Sequence, residues 1–117
     1  MKIKIKNLRL RTIIGTNDWE RTNRQDVIIN IKMRIDGEKV AATDDIIDTV
    51  NYRELTKTII REVEKSNFYL LEKLADFILK IIMEDTKVIK AKVEVDKPQA
   101  LRFSDSVSVS ISAKRKE

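Results

Sequence analysis

Apolar and polar positions alternate along several stretches of the chain. Val27, Ile29, Ile31, Met33 and Ile35 fall on one side of such a stretch, with Ile28, Asn30, Lys32 and Arg34 on the other. A repeat of two is that of a strand with one face in a core and one in solvent. Ile89, Ala91, Val93 and Val95 set against Lys90, Lys92 and Glu94 predict another strand, and Val107, Val109, Ile111 and Ala113 set against Ser106, Ser108, Ser110 and Ser112 a third. At the start of the chain the apolar phase is odd at Ile3 and Ile5, then even at Leu8, Leu10 and Ile14. A phase change near Lys6-Asn7 predicts a bulge or a switch of exposed face.

Between the strand pairs the period lengthens. Asn51 with Glu54 three residues on resembles a capping box, followed by a stripe of Leu55, Ile59, Ile60 and Val63. Ser66-Asn67 breaks that helix and is placed to cap the next, in which Leu70, Leu71, Leu74, Ala75, Ile78, Leu79 and Ile82 recur at helical spacing. Asp36-Gly37 reads as a turn after the second strand. The expected fold is α+β, in the order ββααββ: a four-stranded antiparallel sheet with two helices on one face. From the pattern alone, the serine face of the last strand looks at water.

Length adds one constraint: 117 residues accommodate a single domain, 1–117, without linkers or repeats. No apolar run is long enough to span a bilayer, and the alternating start Met1-Lys2-Ile3-Lys4-Ile5-Lys6 is unlike a signal peptide, so a cytoplasmic protein without membrane contact is expected. The net charge of +5 comes from 24 basic residues interspersed with 19 acidic ones. A nucleic-acid binder needs a basic stripe and stacking rings, whereas the whole chain holds one Trp, two Tyr and three Phe. No nucleic-acid partner is expected.

The chain has no His and no Cys. Ser-His-Asp and Cys-His catalysis and disulfides are therefore excluded, and a conventional zinc site loses its usual ligands. Chemistry must come from carboxylates, Lys, Arg, Tyr, hydroxyls or backbone. Four polar residues stand out by position: Glu20 after Trp19 in the long connection that follows Gly15, Tyr52 and Glu72 near the starts of the two helices, and Lys97 before Pro98 where the third strand ends. Each has a plain reading as a solvated group, and a first-turn Glu also complements a helix dipole.

Six segments alter that reading when taken in order. They are residues 7–15 (Asn-Leu-Arg-Leu-Arg-Thr-Ile-Ile-Gly), 23–26 (Asn-Arg-Gln-Asp), 51–53 (Asn-Tyr-Arg), 70–74 (Leu-Leu-Glu-Lys-Leu), 96–98 (Asp-Lys-Pro) and 100–108 (Ala-Leu-Arg-Phe-Ser-Asp-Ser-Val-Ser). Together they resemble the dihydroneopterin aldolase and epimerase family almost end to end. The first three, with Thr56-Lys57, are closer to the dihydroneopterin triphosphate 2′-epimerase branch, whereas Asp18-Trp19-Glu20 is more similar to the aldolases.

The resemblance implies the tunnelling fold, in which subunits join sheets into a barrel. It further implies a homo-tetramer or stacked octamer, active sites between subunits, a serine face lining the tunnel, and neither metal nor organic cofactor. It assigns Glu72 to the 2-amino and N3–H edge of a small-molecule pterin, where a carboxylate offers two parallel acceptors. Backbone groups near Leu71 and Val50 complete the ring's hydrogen bonds, and Tyr52, counted among the catalytic residues, comes from the neighbouring subunit to line the pocket. Lys97 and Glu20 become the proton-transfer pair, directly or through water. The implied activity is epimerisation of 7,8-dihydroneopterin triphosphate at C2′ by a retro-aldol and aldol route, with aldolase side activity. The alternatives are a dihydroneopterin aldolase giving 6-hydroxymethyl-7,8-dihydropterin and glycolaldehyde, and a non-catalytic pterin-binding scaffold. Arg11, Arg24, Arg53 and Lys57 are the cations available to a phosphate tail, each equally readable as surface charge.

Overall fold

The computed structural model describes residues 1–116. Four strands, β1 (Lys2–Thr12), β2 (Gln25–Arg34), β3 (Lys90–Pro98) and β4 (Ser106–Lys114), form one sheet in the order β1-β2-β3-β4. All three pairings are antiparallel. Among the described residues four α-helices accompany them, α1 (Asp18–Thr22), α2 (Gly37–Thr43), α3 (Tyr52–Glu64) and α4 (Leu71–Met83), with a short 3-10 helix at Ile46–Asp48. The long pair, α3 and α4, lies between β2 and β3 in sequence, as the periodicity predicts.

The alternation is explained by what each face meets. Val27, Ile29, Ile31 and Met33 of β2 and Ala91, Val93 and Val95 of β3 are buried, together with Ile59 and Val63 of α3 and Leu74, Ile78 and Ile82 of α4. Burying a large aliphatic side chain stabilises by roughly 1.5–3 kcal/mol, so this one cluster drives the helices onto the sheet. Ser108, Ser110 and Ser112 of β4 are exposed.

The predicted irregularity in β1 is present. Pairing with β2 slips between Ile5 and Leu8, and Asn7 adopts a φ of 53°. Asparagine tolerates this left-handed backbone better than most residues. The Asn30 side chain fixes it, accepting from the Asn7 backbone N–H at 2.9 Å and donating to its carbonyl-type side-chain oxygen at 3.2 Å.

Local signals in the helices are met in part. Asn51 caps α3, its side chain accepting from the Glu54 N–H at 3.2 Å. Ser66 ends that helix by donating to the Val63 carbonyl at 2.7 Å, and the buried Thr12 hydroxyl donates to the same carbonyl at 2.7 Å. Ser66-Asn67 does not cap the next helix, however. The N-cap of α4 is Leu70, which makes no side-chain capping bond. The expected element order also needs three additions, α1, α2 and the 3-10 helix, none of which buries a residue. Among the described residues, no helix is long and apolar enough to cross a membrane.

Candidate active site

Past β1 the chain turns at Gly15 into α1, and this brings Glu20 to Lys97 near the end of β3, 77 residues away in sequence. The two form an ion pair whose side chains are only 12% and 13% exposed. Gln25, first residue of β2, donates to a Glu20 oxygen at 3.0 Å and to the Ile14 carbonyl at 2.7 Å. The Asn17 backbone N–H donates to the other Glu20 oxygen at 3.3 Å. Burial raises the Glu20 pKa, but hydrogen bonds from Lys97, Gln25 and Asn17 together outweigh it, lowering the pKa from 4.5 to about 2.

That depression ties stability to pH. The folded state holds Glu20 ionised more strongly than the unfolded state does, so its contribution is complete above pH 4.5 and is lost as pH falls through about 2. The shift corresponds to roughly 3 kcal/mol. Denaturant unfolding across that range should show an acid-dependent loss in the wild type, and Glu20→Gln should flatten it. Equal slopes for the two proteins would mean that another carboxylate governs acid stability.

The turn has little spare room. Gly15 has a φ of +124°, and a Cβ there would come within 2.2 Å of the Glu20 carboxyl carbon. Both the backbone and the approach require glycine. Gly15→Ala is expected to destabilise by about 1–3 kcal/mol, read as a lower denaturant midpoint, and an unchanged midpoint would refute this packing.

Arg21 holds the same turn from the other side. Its guanidinium donates to the carbonyls of Gly15 at 3.0 Å, Phe68 at 3.1 Å and Asn67 at 2.6 Å, and it stacks 3.9 Å from the Tyr69 ring centroid. One side chain thus ties the loop before α1 to the loop before α4.

Around the ion pair opens a cavity of about 210 Å³ walled by Gly15, Glu20, Tyr69, Leu70, Leu71 and Lys97. Since Leu70 supplies no side-chain cap, first-turn N–H groups of α4 are left for an acceptor beside this cavity. Gln25 also walls a second cavity of about 320 Å³, together with Arg9, Arg11, Trp19, Arg24, Asp26 and Pro98. Among the described residues, no group of three or more Asp or Glu side chains is arranged to hold a metal.

Of the residues singled out from sequence, Glu20, Lys97 and Leu71 meet in one place. Glu72 follows Leu71 in the first turn of α4 but is exposed and does not wall the cavity. Tyr52 is 59% exposed on α3, and Val50 is buried in the core. Neither reaches the cavity within one chain. Gly15, Arg21 and Gln25 hold the site without having been assigned a role. Their contacts are long-range, and only the positive φ of Gly15 has a local signal, a lone glycine between the apolar Ile13-Ile14 and the polar Thr16-Asn17-Asp18.

A largely buried ion pair beside a helix start without a side-chain cap can hold a polar group and exchange a proton with it. The family described as FolB, dihydroneopterin aldolase, matches residues 3–112. The dihydroneopterin triphosphate 2′-epimerase of Escherichia coli (strain K12) is 49% identical over 113 residues, 97% of this chain and 94% of that protein. The dihydroneopterin aldolase of the same strain is 30% identical, with 92% of this chain and 88% of that one covered. The structure of E. coli dihydroneopterin aldolase in complex with neopterin is similar at a TM-score of 0.90 and 28% identity, covering 97% of this chain and 98% of that one. With the family matched over nearly its full length, and the sheet and helices arranged as in a solved relative, the chain belongs to the FolB dihydroneopterin aldolase family.

Proposed function

We propose that the protein epimerises 7,8-dihydroneopterin triphosphate at C2′ and cleaves dihydroneopterin more slowly. The observation that carries the reading is the shielded Glu20–Lys97 pair beside the uncapped start of α4. Glu72 accepts from the 2-amino and N3–H groups of the pterin, and the Leu71 backbone meets its carbonyl edge. Val50 contributes backbone from a neighbouring subunit, and Tyr52 of that neighbour covers the ring.

The 2′-hydroxyl loses its proton, the C1′–C2′ bond breaks, and its electrons move into the N5=C6 imine. C2′ leaves as an aldehyde while C1′ becomes the carbon of an enamine. Protonation of C1′ completes cleavage. Attack of C1′ on the other face of the aldehyde restores the bond with C2′ inverted. The substrate is its own electron sink, so the protein has only to position it and move protons. A carboxylate whose pKa is about 2 is a weak proton acceptor. Glu20 therefore orients Lys97 and balances its charge, and the proton travels through the Lys97 amine or a water on it.

A site built this way needs a ring of subunits, and the single chain has surfaces suited to one. Its radius of gyration is 15.5 Å, against about 13 Å for a compact domain of this length. The edge strands β1 and β4 have one paired side each, and Phe103 (96%), Ile47 (70%) and Trp19 (63%) are exposed. These surfaces support the reading of a tetramer or a stacked octamer, joined edge to edge.

The second reading, a dihydroneopterin aldolase, rests on Asp18-Trp19-Glu20. The test offers both substrates to protein whose assembly has been checked by sedimentation, with oxidised products separated by chromatography. A monapterin-type product from the triphosphate supports the epimerase. Fast formation of the 6-hydroxymethyl product from dihydroneopterin, with the triphosphate ignored, would replace it by the aldolase. Neither product from an assembled protein leaves a non-catalytic pterin binder, and a monomer at micromolar concentration removes the shared site.

A further inference from the structure

We propose that the arginine-walled cavity beside Gln25 seats the triphosphate tail of the substrate; this rests on the pterin reading above and deepens it. Arg9 and Arg11 occupy alternate positions of β1 and therefore share a face, opposite Ile28 and Asp26 of β2. Arg24 reaches the same cavity from the residue before β2. One carboxylate, Asp26, serves two of these three guanidiniums: it lies 3.4 Å from Arg9 and 3.3 Å from Arg11. The cavity therefore keeps an excess of positive charge.

Its walls are also held in position before any ligand arrives. Arg24 donates to the Glu64 carbonyl at 2.8 Å, and the Arg24 carbonyl accepts from Arg11 at 3.3 Å. Guanidinium groups pair with phosphate oxygens in a two-point fork, and several held together recognise a polyanion better than scattered cations do.

Two residues join the ion pair to this cavity. Gln25 walls it and at the same time hydrogen-bonds Glu20, while Pro98 walls it directly after Lys97. A substrate whose 2′-hydroxyl lies at the ion pair can pass its 3′-substituent beside Gln25 and reach the arginines. The other two cations considered from sequence do not wall this cavity: Arg53 is on α3, and Lys57 lies 3.7 Å from Glu54 on the same helix.

The probes are neopterin triphosphate and neopterin, oxidised ligands that bind without turning over, and inorganic tripolyphosphate. By titration, the wild type should bind neopterin triphosphate at least about tenfold more tightly than neopterin, with an advantage that shrinks as salt rises. The Arg9→Gln, Arg11→Gln double variant should bring that ratio close to one and leave neopterin affinity unchanged, which also reports an intact fold. In turnover the loss should fall on KM for the triphosphate and spare kcat, the sign of binding shared by ground and transition states. A ratio preserved in the double variant would overturn the proposal, as would a wild-type ratio near one. If the wild type bound no neopterin, the pterin reading would fail, and tripolyphosphate would still decide this site. Binding lost in the double variant supports an anion seat; equal binding by the two proteins, or none by the wild type, contradicts it.

Discussion

Lys97→Ala is expected to lower turnover by about 10²-fold or more, with a much smaller effect on affinity for a neopterin ligand. The reason is its place in the site. Its ammonium group pairs with Glu20 at the wall of the cavity, 13% exposed, whereas the proposed ring contacts come from Glu72 and the Leu71 backbone. Removing it takes away the proposed proton carrier and no proposed contact to the ring. Lys97→Arg sharpens the test, because arginine keeps the charge facing Glu20 but does not release a proton near neutral pH. Turnover should remain low in that variant too. If Lys97→Ala kept its turnover and lost affinity instead, Lys97 would be a positioning residue, and the proton route would have to be sought elsewhere.

Glu72→Ala should abolish measurable pterin binding. A carboxylate facing two parallel ring donors makes charge-assisted bonds, and leaving those donors unpaired in a closed site costs roughly 2–5 kcal/mol. Glu72 is exposed in the isolated chain, so in the proposed assembly the full cost arises where a neighbouring subunit covers the ring. Calorimetry with neopterin on the assembled protein measures it. Unchanged affinity would show that the anchor is a different residue, whereas loss accompanied by dissociation into monomers would point to an assembly role.

The strands were legible because each has one face against the helices. Val27, Ile29, Ile31 and Met33 are all buried, and the polar residues between them are what make the period visible. The bulge was legible for the same reason: one extra residue at Asn7 shifts every later apolar position to the other parity. The helices α1 and α2 left no such mark. They are five and seven residues long and bury nothing, so no apolar stripe exists to be read. The start of α4 was misjudged at Ser66-Asn67 because a distant residue decides it. Arg21 takes up the carbonyls of Asn67 and Phe68, and that holds the chain extended up to Leu70.

The site was less readable than the fold. Glu20 and Lys97 are separated by 77 residues, and nothing in the spacing joins them; the family resemblance did. Gln25 entered the sequence reading only as part of the Asn-Arg-Gln-Asp segment, yet its side chain links Glu20 to the Ile14 carbonyl and walls the second cavity. Arg9 and Arg11 lie on an alternating strand where solvent exposure is the ordinary reading. Their convergence with Arg24 depends on the register that sets Arg11 opposite Asp26. Such meetings come from tertiary structure and have no local signature.

The reaction itself is tested most directly by incubating 7,8-dihydroneopterin triphosphate with the protein in deuterium oxide and analysing the oxidised products by chromatography and mass spectrometry. A retro-aldol and aldol route carries the C2′ hydrogen through as the aldehyde hydrogen. The predicted result is a monapterin-type triphosphate with no deuterium on carbon, beside a minor 6-hydroxymethyl product that carries one deuterium on its hydroxymethyl carbon. Deuterium at C2′ of the epimer would mean direct abstraction of that hydrogen and would contradict the bond-breaking route; absence of any epimer from correctly assembled protein would contradict the proposed reaction.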